Sequence, residues 1–227
     1  MLLLVAVLGI LAIVTRAIQA VHVALFSFPW IGLPFIFPAL RSYPLILLIP
    51  LILYGVVVAA VPSLRHSLLW LRSGHFSSDI LALVLITIVV SGAALIAWYY
   101  LLKPDISSQM KLIPRVSVWM LPVVAVGFAM LNAAMEEFAF RGIIMQALDS
   151  AIGVGSASII IQAASFGLFH YMAGFPHGSW GLVMATGYGF MLGMLRRRSR
   201  GIAACWIAHV LADIVIFGIL TIVIVAE

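Results

Sequence analysis

The stretch NAAMEEFAFRGIIM, residues 132–145, sets two adjacent carboxylates and a guanidinium inside a run that otherwise reads as membrane-spanning helix. At about 100° per residue, Glu137 and Arg141 form an i,i+4 pair with the acid on the N-terminal side, the better orientation for an ion pair. Arg141 can therefore hold Glu137 ionised. Glu136 is turned off that axis and lies beside a second negative charge in a low dielectric. These are the surroundings of a tuned base, so one glutamate reads as structural and the other as reactive.

The flanking sequence supports the membrane reading. The chain has 227 residues, is 65% hydrophobic and 8% charged, and has a mean hydropathy of +1.26. These values lie far from those of a soluble domain. Taking about 20 apolar residues as a span, helices are expected over 2–15, 17–40, 44–62, 79–102, 117–148, 153–173, 178–195 and 201–225. The first run, 1–15, has no basic leader region and no clean small-x-small cleavage site after it, so it reads as a short helix rather than a signal peptide. No stretch alternates as a membrane barrel requires. The expected fold is all-α, a polytopic membrane protein of about eight helices in one domain, 1–227, with no room for a soluble domain of ordinary size.

The net charge of +5 comes mostly from Lys and Arg between the apolar runs, where such charges set topology and meet anionic lipid. A lipid bilayer is the expected partner, and no nucleic acid is. In a prokaryote the location would be the plasma (inner) membrane. If RRRSR, 196–200, is cytoplasmic, the C-terminus lies on the other side, but the charges of 103–115 compete with that orientation. The single cysteine, Cys205, excludes an internal disulfide and a cysteine metal cluster.

Five prolines between Pro29 and Pro50 predict a kinked, broken or re-entrant segment. Residues 63–79 place Leu64, Leu68 and Leu71 on one face, which suits an interfacial helix or a loop. Gly189 and Gly193 allow close helix contact. Trp30, Trp70, Trp98, Trp119 and Trp180 lie near expected span ends and read as interface anchors.

Within the spans the ionisable residues are His22, Glu136, Glu137, Arg141, His170, His209 and Asp213. Each costs about 2.5 to 3.5 kcal/mol on insertion scales, so the set needs a reason. His22 reads as a hydrogen-bonded packing residue. His209 and Asp213 are i,i+4 and project from one face. Three helices can thus converge on one polar pocket. There a carboxylate and a histidine sharing a water would give a general base, and a second histidine with a side-chain donor could bind an oxyanion.

In this order EEFAFR, FGLFH and HVLAD match E-E-x-x-x-R, F-x-x-x-H and H-x-x-x-N/D motifs. As a set they resemble the CAAX-prenyl-protease and bacteriocin-processing family, also called the Abi family. The motifs occupy 136–213 within a core of about 117–225, whereas the helices of 1–102 match only in hydropathy and rough number. The resemblance implies a glutamate-dependent intramembrane endopeptidase with eight membrane helices and a catalytic cavity within the bilayer, needing no cofactor or metal. Glu136 and His170 would activate water, His209 with residue 213 would form the oxyanion hole, and Glu137 and Arg141 would position the site. The implied substrate is a membrane-associated protein or peptide: a prenylated CAAX tail, a leader, or a C-terminal sorting helix.

At 213 this chain has aspartate where the best-understood prenyl proteases have asparagine. An ionised carboxylate cannot donate a hydrogen bond, so Asp213 either is protonated or orients His209. Two other functions use the same residues. A metal-dependent membrane protease has enough N and O ligands here, although no H-E-x-x-H spacing occurs and adjacent glutamates are not expected to share a helix face. A non-catalytic immunity or binding protein, or a transporter, could use the same polar cavity.

Overall fold

The computed structural model describes residues 17–110, 113–114 and 116–226, apart from the side chains of 108 and 222–226. The helix expected over 2–15 lies outside the described residues. Each other expected span is helical: α1 Ile18–Ile36, α2 Leu45–Ala60, α3 Ser78–Leu102, α4 Leu121–Glu137, α6 Ser156–Ala173, α7 Gly178–Ser199 and α8 Ala203–Ala226. Between α4 and a short α5, Met145–Ile152, the backbone widens into a π-helical segment, Phe138–Ile144. No strand occurs among the described residues.

Among the described residues, four runs are long and apolar enough to cross a bilayer: Ile18–Ile36, Ser78–Leu102, Val118–Ile152 and Ala203–Thr221. At 16 residues, α2 rises about 24 Å. Helices α6 and α7 give up part of their aliphatic content to glycine, serine and glutamine, which serve the contact between them. Large apolar side chains cover the outside, with Val89, Val123 and Leu101 at 66%, 70% and 79% exposure. The seven ionisable residues singled out above, His22, Glu136, Glu137, Arg141, His170, His209 and Asp213, lie inside. An all-α polytopic membrane protein accounts for both facts, since lipid rewards the first and forbids exposing the second.

The packing of α6 on α7 depends on missing side chains. A Cβ on Gly189 would lie 3.1 Å from Phe166 Cδ1 and 3.2 Å from Ala163 Cα, and one on Gly193 would lie 2.7 Å from Gln162 Nε2. Buried Gln162 uses that proximity and donates to the Gly189 carbonyl at 2.8 Å.

The proline-rich segment breaks between helices. Pro29 and Pro34 lie inside α1 and Pro50 inside α2, while 37–44 holds the break with a 3-10 turn at Pro38–Arg41. The segment 63–79 forms only a short helix, Pro62–His66, before turning irregular. Its backbone is engaged elsewhere: the Ile202 amide donates to the Arg72 carbonyl (2.8 Å) and the His75 amide to the Ser199 carbonyl (2.9 Å). At this crossing a Cβ on either Gly74 or Gly201 would strike the other glycine's backbone.

The tryptophan expectation needs correction. Trp119 and Trp180 are exposed, as anchors should be, but Trp70 and Trp98 are buried in the core. Trp70 is drawn in because its ring covers Gly142 and packs on Phe138. His22 is a packing residue as expected, with Nδ1 paired to the Tyr54 hydroxyl (2.8 Å) and Nε2 to the Ser67 hydroxyl (2.7 Å).

Gly189→Leu should lower stability by about 1 to 3 kcal/mol through overpacking, measured as thermal unfolding in detergent. Gly127→Leu, where a Cβ meets nothing within 4 Å, should leave the midpoint unchanged or raise it.

Candidate active site

The two glutamates end α4 a little past the middle of the longest apolar run, and Arg141 follows in the π-helical segment, a conformation frequent at functional sites. Arg141 Nη1 donates to Glu137 Oε1 at 2.9 Å, and both side chains are fully buried. The guanidinium also lies over the Phe166 ring, 4.3 Å from its centroid. Ring face and carboxylate together stabilise a fully buried cation.

His209 on α8 meets this pair from the opposite side. Its Nδ1 bonds Glu137 Oε1 at 2.7 Å, while its Nε2 lies 3.5 Å from Glu136 Oε2 and 3.7 Å from Asp213 Oδ1. The two glutamates do not share a helix face, and only Glu136 lines the cavity. They leave the helix in different directions, yet each side chain curls to a different nitrogen of one imidazole. Because a carboxylate only accepts, Nδ1 carries a hydrogen. Nε2 then points between two acids, Glu136 and Asp213.

His170 comes from α6. Its Nδ1 bonds the Phe166 carbonyl at 3.1 Å, which fixes the hydrogen on Nδ1 and leaves Nε2 as the acceptor. Phe166 stacks against His170 and meets His209 edge-on, with centroids 4.4 and 6.1 Å apart. One aromatic ring thus touches Arg141 and both histidines.

Glu136, His170, His209 and Asp213 line one mostly apolar cavity of about 720 Å³, bounded by α3, α4, α6, α7, α8 and by Tyr43, Pro44, Gln109, Ile113 and Pro114. Glu137 and Arg141 stand behind that wall. Of the six expected site residues, four therefore reach the cavity and two support them.

Sequence reasoning missed three polar side chains in the same lining. Asn132 Nδ2 donates to Asp213 Oδ2 at 2.8 Å. Tyr188 packs perpendicular to His209 with centroids 5.4 Å apart, and the hydroxyls of Tyr43 and Tyr188 are buried with no protein partner among the described residues. Asn132 left a signal, since it lies one turn before Glu136, but a search for ionisable groups passes over an amide. No group of three or more His, Cys, Asp or Glu side chains among the described residues is arranged to hold a metal ion.

Arg141→Leu would leave Glu137 buried without its cation, a loss of about 3 to 5 kcal/mol, read as a fall in thermal stability and in accumulation in the membrane.

Residues 117–215, which carry all of these motifs, match a family model described as type II CAAX prenyl endopeptidase, Rce1-like. No curated protein matches the chain, and neither does any solved structure. The resemblance drawn from the three ordered motifs is therefore borne out over residues 117–215, which carry the pattern of the Rce1-like CAAX prenyl endopeptidases.

Proposed function

We propose that the protein is a glutamate-dependent intramembrane endopeptidase, built as one membrane domain over 1–227, that hydrolyses a membrane-associated protein or peptide near its C-terminus or leader. The observation that carries this reading is the meeting of Glu136 and His209, from α4 and α8, at a cavity that His170 also lines.

Glu136 takes a proton from a water in the cavity as the oxygen attacks the scissile carbonyl carbon, and then returns it to the leaving amine. His170, with Nε2 as its free acceptor, shares that water. His209 Nε2 donates to the oxyanion of the tetrahedral intermediate. Glu137 fixes the opposite edge of the same ring and Arg141 fixes Glu137, so both are positioning residues. Asp213 accepts from Asn132, which supports an orienting role for its carboxylate in preference to that of a donor.

The size and apolar lining of the cavity suit an extended greasy segment, whether a prenylated CAAX tail, a leader or a sorting helix. In a prokaryote the enzyme would act in the plasma membrane.

The test compares, by mass spectrometry in host cells, the N- and C-termini of membrane proteins in wild type and Glu136→Gln at matched protein levels. A defined set of processed termini should disappear in the variant, and their sequences would identify the substrate class. If every terminus is unchanged while the variant accumulates fully, the hydrolase reading falls and a binding or transport role replaces it.

A further inference from the structure

The contact between α4 and α8 has two polar rungs, one helical turn apart on each helix. Glu136 faces His209 (3.5 Å) and Asn132 faces Asp213 (2.8 Å). All four side chains are buried, and all four line the cavity. The second rung poses a chemical problem beside a reacting carbonyl. A developing oxyanion needs donors aimed at it, and an ionised carboxylate at 213 would repel it. Asn132 resolves the conflict. Its amide nitrogen carries two hydrogens, and Asp213 Oδ2 takes one. That contact fixes which end of the amide faces α8 and holds the amide plane still.

From this we infer that Asn132 is an oxyanion donor: its second amide hydrogen serves the reacting carbonyl oxygen, while Asp213 acts as the anchor that aims it. The inference rests on the endopeptidase reading and adds a residue to it. The neutral donor reaches the cavity from α4 rather than from α8, and the carboxylate at 213 becomes useful because it immobilises the donor and disperses its own charge into that bond. Preorganisation of this kind lowers the barrier because nothing has to reorient when charge appears.

The experiment uses the full-length protein in lipid nanodiscs and a synthetic peptide spanning a cleavage site found in the host-cell comparison. Asn132→Ala should lower kcat by roughly 10²- to 10³-fold, the usual loss for one oxyanion donor, with KM changed by no more than a few fold. This variant also leaves Asp213 without its partner, so two second-site changes separate chemistry from folding. Asp213→Asn in the Asn132→Ala background places an amide donor on α8 and should restore kcat at least tenfold. Asp213→Leu in the same background also removes the orphaned charge, and should recover thermal stability but not kcat.

Equal recovery of kcat by Asp213→Asn and Asp213→Leu would overturn the inference, because Asn132 would then be only a charge partner. So would an unchanged kcat in Asn132→Ala. Glu136→Gln is the control for the underlying reading. If it retains turnover, the endopeptidase mechanism itself fails. If it alone is inactive while Asn132→Ala is normal, only the donor assignment fails.

Discussion

A single imidazole held among three buried acids organises this protein. His209 is reached by Glu136 and Glu137 from α4 and by Asp213 one turn along its own helix. Such a group is expensive in lipid, and replacing a buried ion pair with apolar packing is often neutral or stabilising. The fold offsets the cost locally. Arg141 answers Glu137, the Phe166 ring supports Arg141, and the Asn132 amide disperses the charge of Asp213. The geometry thus exposes Glu136 to the cavity while its neighbours are committed to one another.

That commitment imposes conditions on packing outside the site. Phe166 lies under Arg141 and against both histidines while its ring edge meets α7, where Gly189 presents no side chain toward it. Trp70 in turn covers the backbone at Gly142, directly after Arg141, where even a Cβ would collide with the indole. The π-helical segment is therefore supported from outside by a residue of the irregular 67–77 connector. A glycine in the middle of a membrane span, adjacent to a buried cation, here marks the place where another chain segment must come near.

The sequence was most informative where physical rules are strict. Span-length apolar runs leave few alternatives to helices, and all the expected helices within the described residues occur, with ends shifted by a few residues. The polar cluster was legible for the same reason, since each ionisable group in a span demands an explanation. Asn132 and the two tyrosines were not legible, because a neutral polar side chain in a helix is too common to stand out until its partner is seen. The burial of Trp70 also needed the tertiary structure, because its position near a span end fits an anchor as well as a core residue. The curling of two adjacent glutamates onto one ring was missed for a further reason. Helical periodicity fixes where side chains start and says little about where flexible carboxylates finish.

The crossing of Gly74 with Gly201 has a consequence for how the chain reaches this state. Apart from the local bond from the Arg72 amide to the Trp70 carbonyl, the backbone hydrogen bonds of 72–75 are made to 199–203, so most of the partners of this connector lie at the turn before the last helix. The bonds from Gln146 to Gln19 and from Asn132 to Asp213 also span much of the sequence. Closing such long loops carries an entropic cost and slows folding. The polar bonds of this protein thus join segments made early to segments made late, so both the connector and the α4–α8 contact are completed by the last hairpin rather than by their neighbours in sequence.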